Sequence, residues 1–287
     1  MKKTAIITDS NSGISQAEAR DLGIFVVPMP FYIDEALYFE DITLTQPEFY
    51  QRLREGADIK TSQPAPESIT ALWNEALREY DDLVHIPMSS GLSGTCQTAV
   101  MLAQDYDGRV RVADNRRISV TLRQSVMEAR SLAEKGFDAA QIAALLERDA
   151  LEASVYIAVD TLKYLKKGGR ITPAAAALGT LFDIKPVLQI QGGKLDAFAK
   201  VRGARHARQR MLEAVEADLN GRFRGCDVLI HGAYTCSDEE AATWKREIET
   251  RFPGQAVRLD RLSLSVACHI GEGATAVVCM KKMEEAL

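Results

Sequence analysis

Two rhythms share the first half of this chain: short continuous apolar runs, and longer stretches with an apolar residue every third or fourth position. Residues 4–8 read as a strand ending at Asp9 and Ser10, residues 15–22 as a helix, and residues 24–30 as a second apolar run. Thr45-Gln46-Pro47-Glu48 has capping-box spacing with proline in the first turn, which predicts a helix over residues 47–55. A stiff polar loop, KTSQPAP at 60–66, precedes a helix with Ile69, Leu72, Trp73, Ala76 and Leu77 on one face. Leu83, Val84 and Ile86 suit a strand covered on both faces, stopped by Pro87. Helical spacing returns from about Ser93, a short strand is predicted at 110–113, and helices follow at about 120–135 and 139–150. Strand and helix in alternation imply an α/β fold with a largely parallel sheet and helices on both faces.

Near residue 153 the grammar changes. A strand at 155–159 ends at Asp160, and TLKYLKKGGRI follows as an amphipathic turn stopped by two glycines. Pro173 opens an alanine-rich helix, and residues 185–201 read as two strands around Gly192-Gly193. A basic helix at 204–220, a strand at 228–234, a helix at 239–251 and a strand at 274–280 complete an α+β pattern with antiparallel pairing. Two domains are predicted, residues 1–152 and 153–287.

Composition narrows the classes. The 287 residues are 46% hydrophobic and 26% charged, enough for real cores. A formal net charge of −5 argues against general affinity for nucleic acid or an anionic membrane surface. No run is long enough for a membrane span, and the apolar run after Lys2 and Lys3 is too short for a signal sequence. Five cysteines without metal-ligand spacing predict reduced, mostly buried thiols, a cytoplasmic location and no metal.

The densest chemistry lies at 89–95, SSGLSGT, where a strand runs into a helix start rich in hydroxyls and broken by Gly91 and Gly94. The first turn of a helix leaves N–H groups unpaired and carries a partial positive charge, so an anion is stabilised there if glycines admit it. The competing reading is that Ser93 caps its own helix.

TDS at 8–10, KTSQP at 60–64, SSGLSGT at 89–95, LKKGGRI at 165–171, KPVLQIQGGKL at 185–195, KVR at 200–202 and HIGEGA at 269–274 together resemble the DegV family of bacterial fatty acid-binding proteins. The resemblance implies a two-domain DegV-like fold holding one long-chain acyl group between its domains. It also implies a lipid-binding carrier in phospholipid metabolism, with no catalytic residue and no cofactor of its own. Carried over by motif, Thr61, Ser62, Ser93, Gly94, Thr95 and His269 become the carboxylate site. The implied partner is an ATP-dependent fatty acid kinase, with Arg202 at its docking surface. The chain departs from the usual pattern at Asn11-Ser12, Gly203-Ala204 and Glu272, and the middle pair bears on kinase docking.

Elementary energetics agree. A carboxylate leaving water needs several donors, and hydroxyls with an imidazole N–H provide charge-assisted bonds. Tunnel candidates are Phe25, Val27, Met29 and Phe31, the helix at 174–178, and Leu262, Leu264 and Val266, each also readable as plain core. Of the histidines, His85 reads as a hydrogen-bonded core residue, His206 as solvated, His231 as a strand residue beside Gly232, and His269 as a loop residue at the ligand. Asp9 either caps a turn or steadies the site's hydroxyls, and Lys166, Lys167 and Arg170 read as a solvated face. A serine hydrolase or acyltransferase using Ser93 and His269 is the alternative, although GLSGT lacks the nucleophile-elbow spacing. A phosphate or nucleotide binder lacks the P-loop lysine.

Overall fold

A computed structural model describes residues 2–178 and 184–287. It divides into two compact units, one of Met1–Leu151, Ser263–Ser265 and Met283–Leu287, the other of Glu152–Leu262 and Val266–Lys282.

In the first unit the elements are β1 (Thr4–Asp9), α1 (Gln16–Leu22), β2 (Phe25–Val27), β3 (Pro30–Ile33), β4 (Ala36–Phe39), α2 (Gln46–Arg54), β5 (Ile59–Thr61) and α3 (Pro66–Ala76). They continue with β6 (Asp82–Ile86), α4 (Thr95–Leu102), β7 (Val110–Val112), α5 (Ser119–Glu134) and α6 (Ala139–Arg148). Four strands form an all-parallel sheet in the order β2-β1-β6-β7. Strand alternation sorts its side chains onto two faces. Ile6, Val26, Val84 and Ile86 pack with Leu122 and Val126 of α5 and Ile142 and Leu146 of α6. Ala5, Ile7, Val27 and Leu83 pack with Ile69 and Trp73 of α3 and Ala99 of α4. The α/β expectation is met.

A three-stranded antiparallel sheet, β4-β3-β5, was not anticipated. Its hairpin turns on Asp34 and Glu35, both at positive φ (48° and 70°), the twist a two-residue connection requires. The stretch read as a polar loop begins inside it: Lys60 pairs with Tyr32 and Thr61 with Phe31. Three residues are too few for a period to show. The predicted capping box is present, the Glu48 carboxylate accepting the Thr45 N–H at 2.9 Å and its hydroxyl at 2.6 Å.

The second unit comprises β8 (Ala153–Ala158), α7 (Lys163–Gly168), α8 (Pro173–Ala177), β9 (Ile184–Ile190), β10 (Asp196–Arg202), α9 (Ala204–Asn220), β11 (Val228–Tyr234), α10 (Asp238–Arg251), β12 (Leu259–Arg261), most of α11 (Leu264–Ile270) and β13 (Thr275–Lys281). Its six-stranded sheet runs β10-β9-β8-β13-β11-β12, antiparallel except for the β11–β12 pair. Met211 and Val215 of α9 and Trp244 and Ile248 of α10 close its core against Val187, Ile230 and Val277. The TLKYLKKGG segment is a full helix, not a turn, ended by Gly169 at positive φ (67°). Among the described residues no helix is long and apolar enough to cross a membrane, and none of the cysteines is disulfide-bonded.

Candidate functional site

In the first unit, one group of candidate residues grows from the carboxyl end of β6. Once Pro87 has ended the ladder, the chain is tied down residue by residue. Met88 donates its N–H to Asp9 at 2.9 Å, and Ser89 donates to the Arg117 carbonyl at 2.9 Å. The Ser89 carbonyl then accepts the N–H groups of Leu92 (3.0 Å) and Ser93 (3.2 Å), coiling the loop into α4. Asp114, just past β7, takes the Ser90 hydroxyl at 2.5 Å and its N–H at 3.2 Å. Arg117 is itself locked in the core, donating to the Asp149 carbonyl at 2.8 Å and to Ser125 at 3.1 Å.

At the helix start, Ser93 Oγ lies 2.9 Å from Thr95 Oγ1 and accepts the Thr95 N–H at 3.2 Å. Ser93 therefore does serve its own helix while staying half-buried, and Thr95 is fully buried. KTSQP reaches the same place. Thr61 is the last residue of β5 and half-buried, and Ser62 is exposed, its N–H on the Pro30 carbonyl at 3.1 Å. Gln63 accepts the Thr98 hydroxyl at 3.0 Å, and its Nε2 lies 2.7 Å from where a Cβ on Gly94 would stand. Gly94 was read as clearing a path for an anion; what occupies the space its missing side chain leaves is the Gln63 carboxamide.

Asp9 resolves in favour of the turn cap. It accepts from the Asn11 N–H (3.0 Å), Asn11 Nδ2 (2.8 Å) and Met88 N–H, and burial pushes its pKa up to about 6. Asn11, a departure from the family pattern, accepts the Ser265 hydroxyl at 2.5 Å.

A separate group of candidate residues, in the second unit, centres on His269. It lies in the last turn of α11, not in a loop, because Gly271 at positive φ (81°) breaks the helix two residues later. Its ring packs on Gly168: a Cβ there would sit 2.3 Å from Nδ1. Burial, with the positive charge of Arg170 added, pushes the imidazole down to about 4, so it is neutral at pH 7 and offers one N–H. Arg170 was read as solvated; it is half-buried and donates to the Gly168 carbonyl. The LKKGGRI and HIGEGA motifs interlock further, since Cβ atoms on Gly271 and Gly273 would meet the Tyr164 ring at 2.8 Å and the Asp160 carboxylate at 2.5 Å. Arg202 is exposed at the end of β10. His206 is exposed as expected, with Nδ1 2.9 Å from the Arg202 carbonyl.

Some candidates take other roles. Phe25 and Val27 pack with Trp73 in the sheet core, so they are not free to line a tunnel. Met29, Phe31, Leu262 and Leu264 are buried, Val266 is half-buried, and Ala174 and Ala177 are exposed on α8. His85 is fully buried, but neither ring nitrogen has a hydrogen-bond partner, contrary to expectation. Gln63, Asp114 and Arg170 went unrecognised as site components; of these only Arg170 stood in a motif with an evident charge signal. Among the described residues no cluster of His, Cys, Asp or Glu could hold a metal ion.

Residues 3–282 match the family model described as uncharacterised protein, DegV family. The chain belongs to the DegV family. A DegV domain-containing protein of Deinococcus radiodurans is 32% identical over 274 residues, covering 95% of this chain and 96% of that one. A Thermus thermophilus structure, described as fatty acid binding of a DegV family protein, superposes with a TM-score of 0.89 at 32% identity, covering 98% of this chain and all (100%) of the other. The Bacillus subtilis structure of DegV, described as a fatty acid binding protein, gives 0.85 at 26% identity, with 98% and 100% covered. The parallel sheet with helices on both faces and the mixed six-stranded sheet of this DegV chain belong to the α/β architecture of the family.

Proposed function

We propose that this DegV-family chain binds a long-chain fatty acid, its carboxylate shared by Thr61, Ser93 and His269 with Ser62, Gly94 and Thr95 close by. The observation that carries this reading is the likeness, at 32% identity over nearly the whole chain, to a structure described as fatty acid binding. The local chemistry supports it. Ser93 and Thr95 present hydroxyls at the first turn of α4, where the helix dipole favours an anion. His269 is held neutral, which suits a donor that must not demand a counter-ion when the site is empty.

The acyl tail supplies most of the affinity. Burial gains about 0.8 kcal/mol per CH₂, so roughly fifteen methylenes offer about 12 kcal/mol before the costs of association. The head-group donors then set polarity and orientation.

The same reading makes the chain a carrier that presents the carboxylate to a separate ATP-dependent fatty acid kinase for conversion to an acyl phosphate, performing no chemistry itself. Exposed Arg202, followed by Arg205 and His206 at the start of α9, supports a rim contact with that kinase. A hydrolase using Ser93 as nucleophile gains no support, since GLSGT lacks the nucleophile-elbow spacing.

Denaturing extraction of the purified protein followed by mass spectrometry should release a fatty acid. A protein that is empty and binds no added oleate, or one that carries nucleotide, would overturn the reading. Arg202→Ala should lower acyl phosphate formation and leave bound lipid unchanged; loss of lipid would reject that division of roles.

A further inference from the structure

We infer that Gln63 is a positioning residue that registers the Thr61 strand end against the Ser93 helix start, and that Gly94 is glycine in order to admit it. The inference rests on the fatty acid reading above. Thr61 ends a strand of the three-stranded sheet, whereas Ser93 lies 32 positions on in the loop between β6 of the parallel sheet and α4, so a shared carboxylate needs a link that fixes one against the other. Gln63 makes a side-chain link from KTSQP to α4. Its Oε1 accepts the Thr98 hydroxyl at 3.0 Å, one turn into the helix, and its Nε2 lies over Gly94.

Geometry separates this from an ordinary surface hydrogen bond. Gly94 has an ordinary helical φ of −74°, which any residue adopts without strain, so its conformation does not demand glycine. Space does: an added Cβ would lie 2.7 Å from Gln63 Nε2 and 3.3 Å from its carboxamide carbon. The obstructing atoms are the far end of a flexible, exposed side chain, so alanine at 94 should push the carboxamide aside and spare the fold. Gly94→Ala is therefore a way to remove the link without altering Gln63, Thr61 or Ser93.

The test measures binding of oleate and of methyl oleate to wild type, Gln63→Ala, Thr98→Val, Gly94→Ala and the Gln63→Ala/Gly94→Ala double variant, with thermal unfolding alongside. Each single variant should weaken oleate about 5- to 10-fold and leave methyl oleate within about 2-fold, because only the carboxylate reads the register of the donors. The double variant should be no weaker than Gln63→Ala alone, since the link can be lost only once. Wild-type affinity in Gln63→Ala, parallel losses for acid and ester, or fully multiplicative losses in the double variant would each overturn the inference. A wild-type chain that binds neither lipid would reject the fatty acid reading itself, and this inference with it.

Discussion

Glu40 accepts the backbone N–H of Leu264 at 2.8 Å, across 224 residues of sequence, and so caps the first turn of α11. Its other oxygen accepts Gln46 Nε2 at 3.0 Å. Burial, with Asp41 adding a like charge, outweighs these bonds and pushes the carboxyl up to about 8.

A carboxyl whose folded pKa lies above its unfolded value holds its proton better when folded. Its contribution to stability is complete below about pH 4.5 and is lost as pH rises toward 8. Glu40→Gln keeps an acceptor for Leu264 and removes the titration. Urea unfolding should show the variant more stable than wild type by about 4 kcal/mol at pH 8 and nearly equal at pH 4.5. An equal difference at both pH values would mean that Glu40 is not the linked group.

Gly168 offers a direct handle on His269. Its backbone tolerates alanine, but the new Cβ would stand 2.3 Å from the imidazole Nδ1. A ring so displaced cannot keep its aim, and a misaimed donor costs roughly tenfold or more. We expect Gly168→Ala to lose at least that factor in oleate affinity with α7 and α11 intact by circular dichroism. Unchanged affinity would remove His269 from the head-group site.

Long elements were legible, whereas of the short ones β7 was and several others were not. The helix at 204–220 and the strand at 228–234 lie where periodicity placed them. β4, β5 and β12 have three or four residues, too few for an alternation to register, and they exist because a neighbouring strand pairs with them. α11 was invisible because LSVACHI, bounded by Ser263 and Gly271, reads equally as a buried strand or a loop. Of the proposed head-group residues, the hydroxyls and His269 come from motifs, whereas Gln63 and Asp114 act through contacts 35 and 24 residues away and leave no local pattern. Arg170 failed differently: three cations around two glycines look solvated, and only the fold shows one of them half-buried beside His269.

Asp114 holds the loop that carries Ser93 by bonding the Ser90 hydroxyl and N–H. The following residues sit in unfavourable backbone, with Arg116 at φ 53° and Ser119 at φ 55°. Asp114→Ala should release Ser90 and let the 88–93 segment fluctuate. Hydrogen exchange at 88–93 should rise and oleate affinity fall about 3- to 10-fold. Exchange that stays at the wild-type rate would show the Arg117 and Asp9 contacts to be sufficient alone.

His85 sets the acid limit of the first unit. It is fully buried edge-on to Trp73, ring centroids 5.6 Å apart, with both nitrogens unpartnered, and burial pushes its pKa down to about 3. The unfolded chain takes up a proton near pH 6.5 that the folded chain refuses. Stability from this residue is therefore complete above pH 6.5 and drains as pH falls toward 3, by about 1.4 kcal/mol per unit. Leucine has no proton to gain and suits a position beside Ile7, its partner on the neighbouring strand, and Trp73. In urea unfolding, the loss of stability between pH 6.5 and 4.5 should be smaller in His85→Leu than in wild type by about 2 kcal/mol, whatever the offset between the two proteins at pH 7. Parallel pH profiles would mean that the folded protein admits the proton and that this part of the core is not sealed.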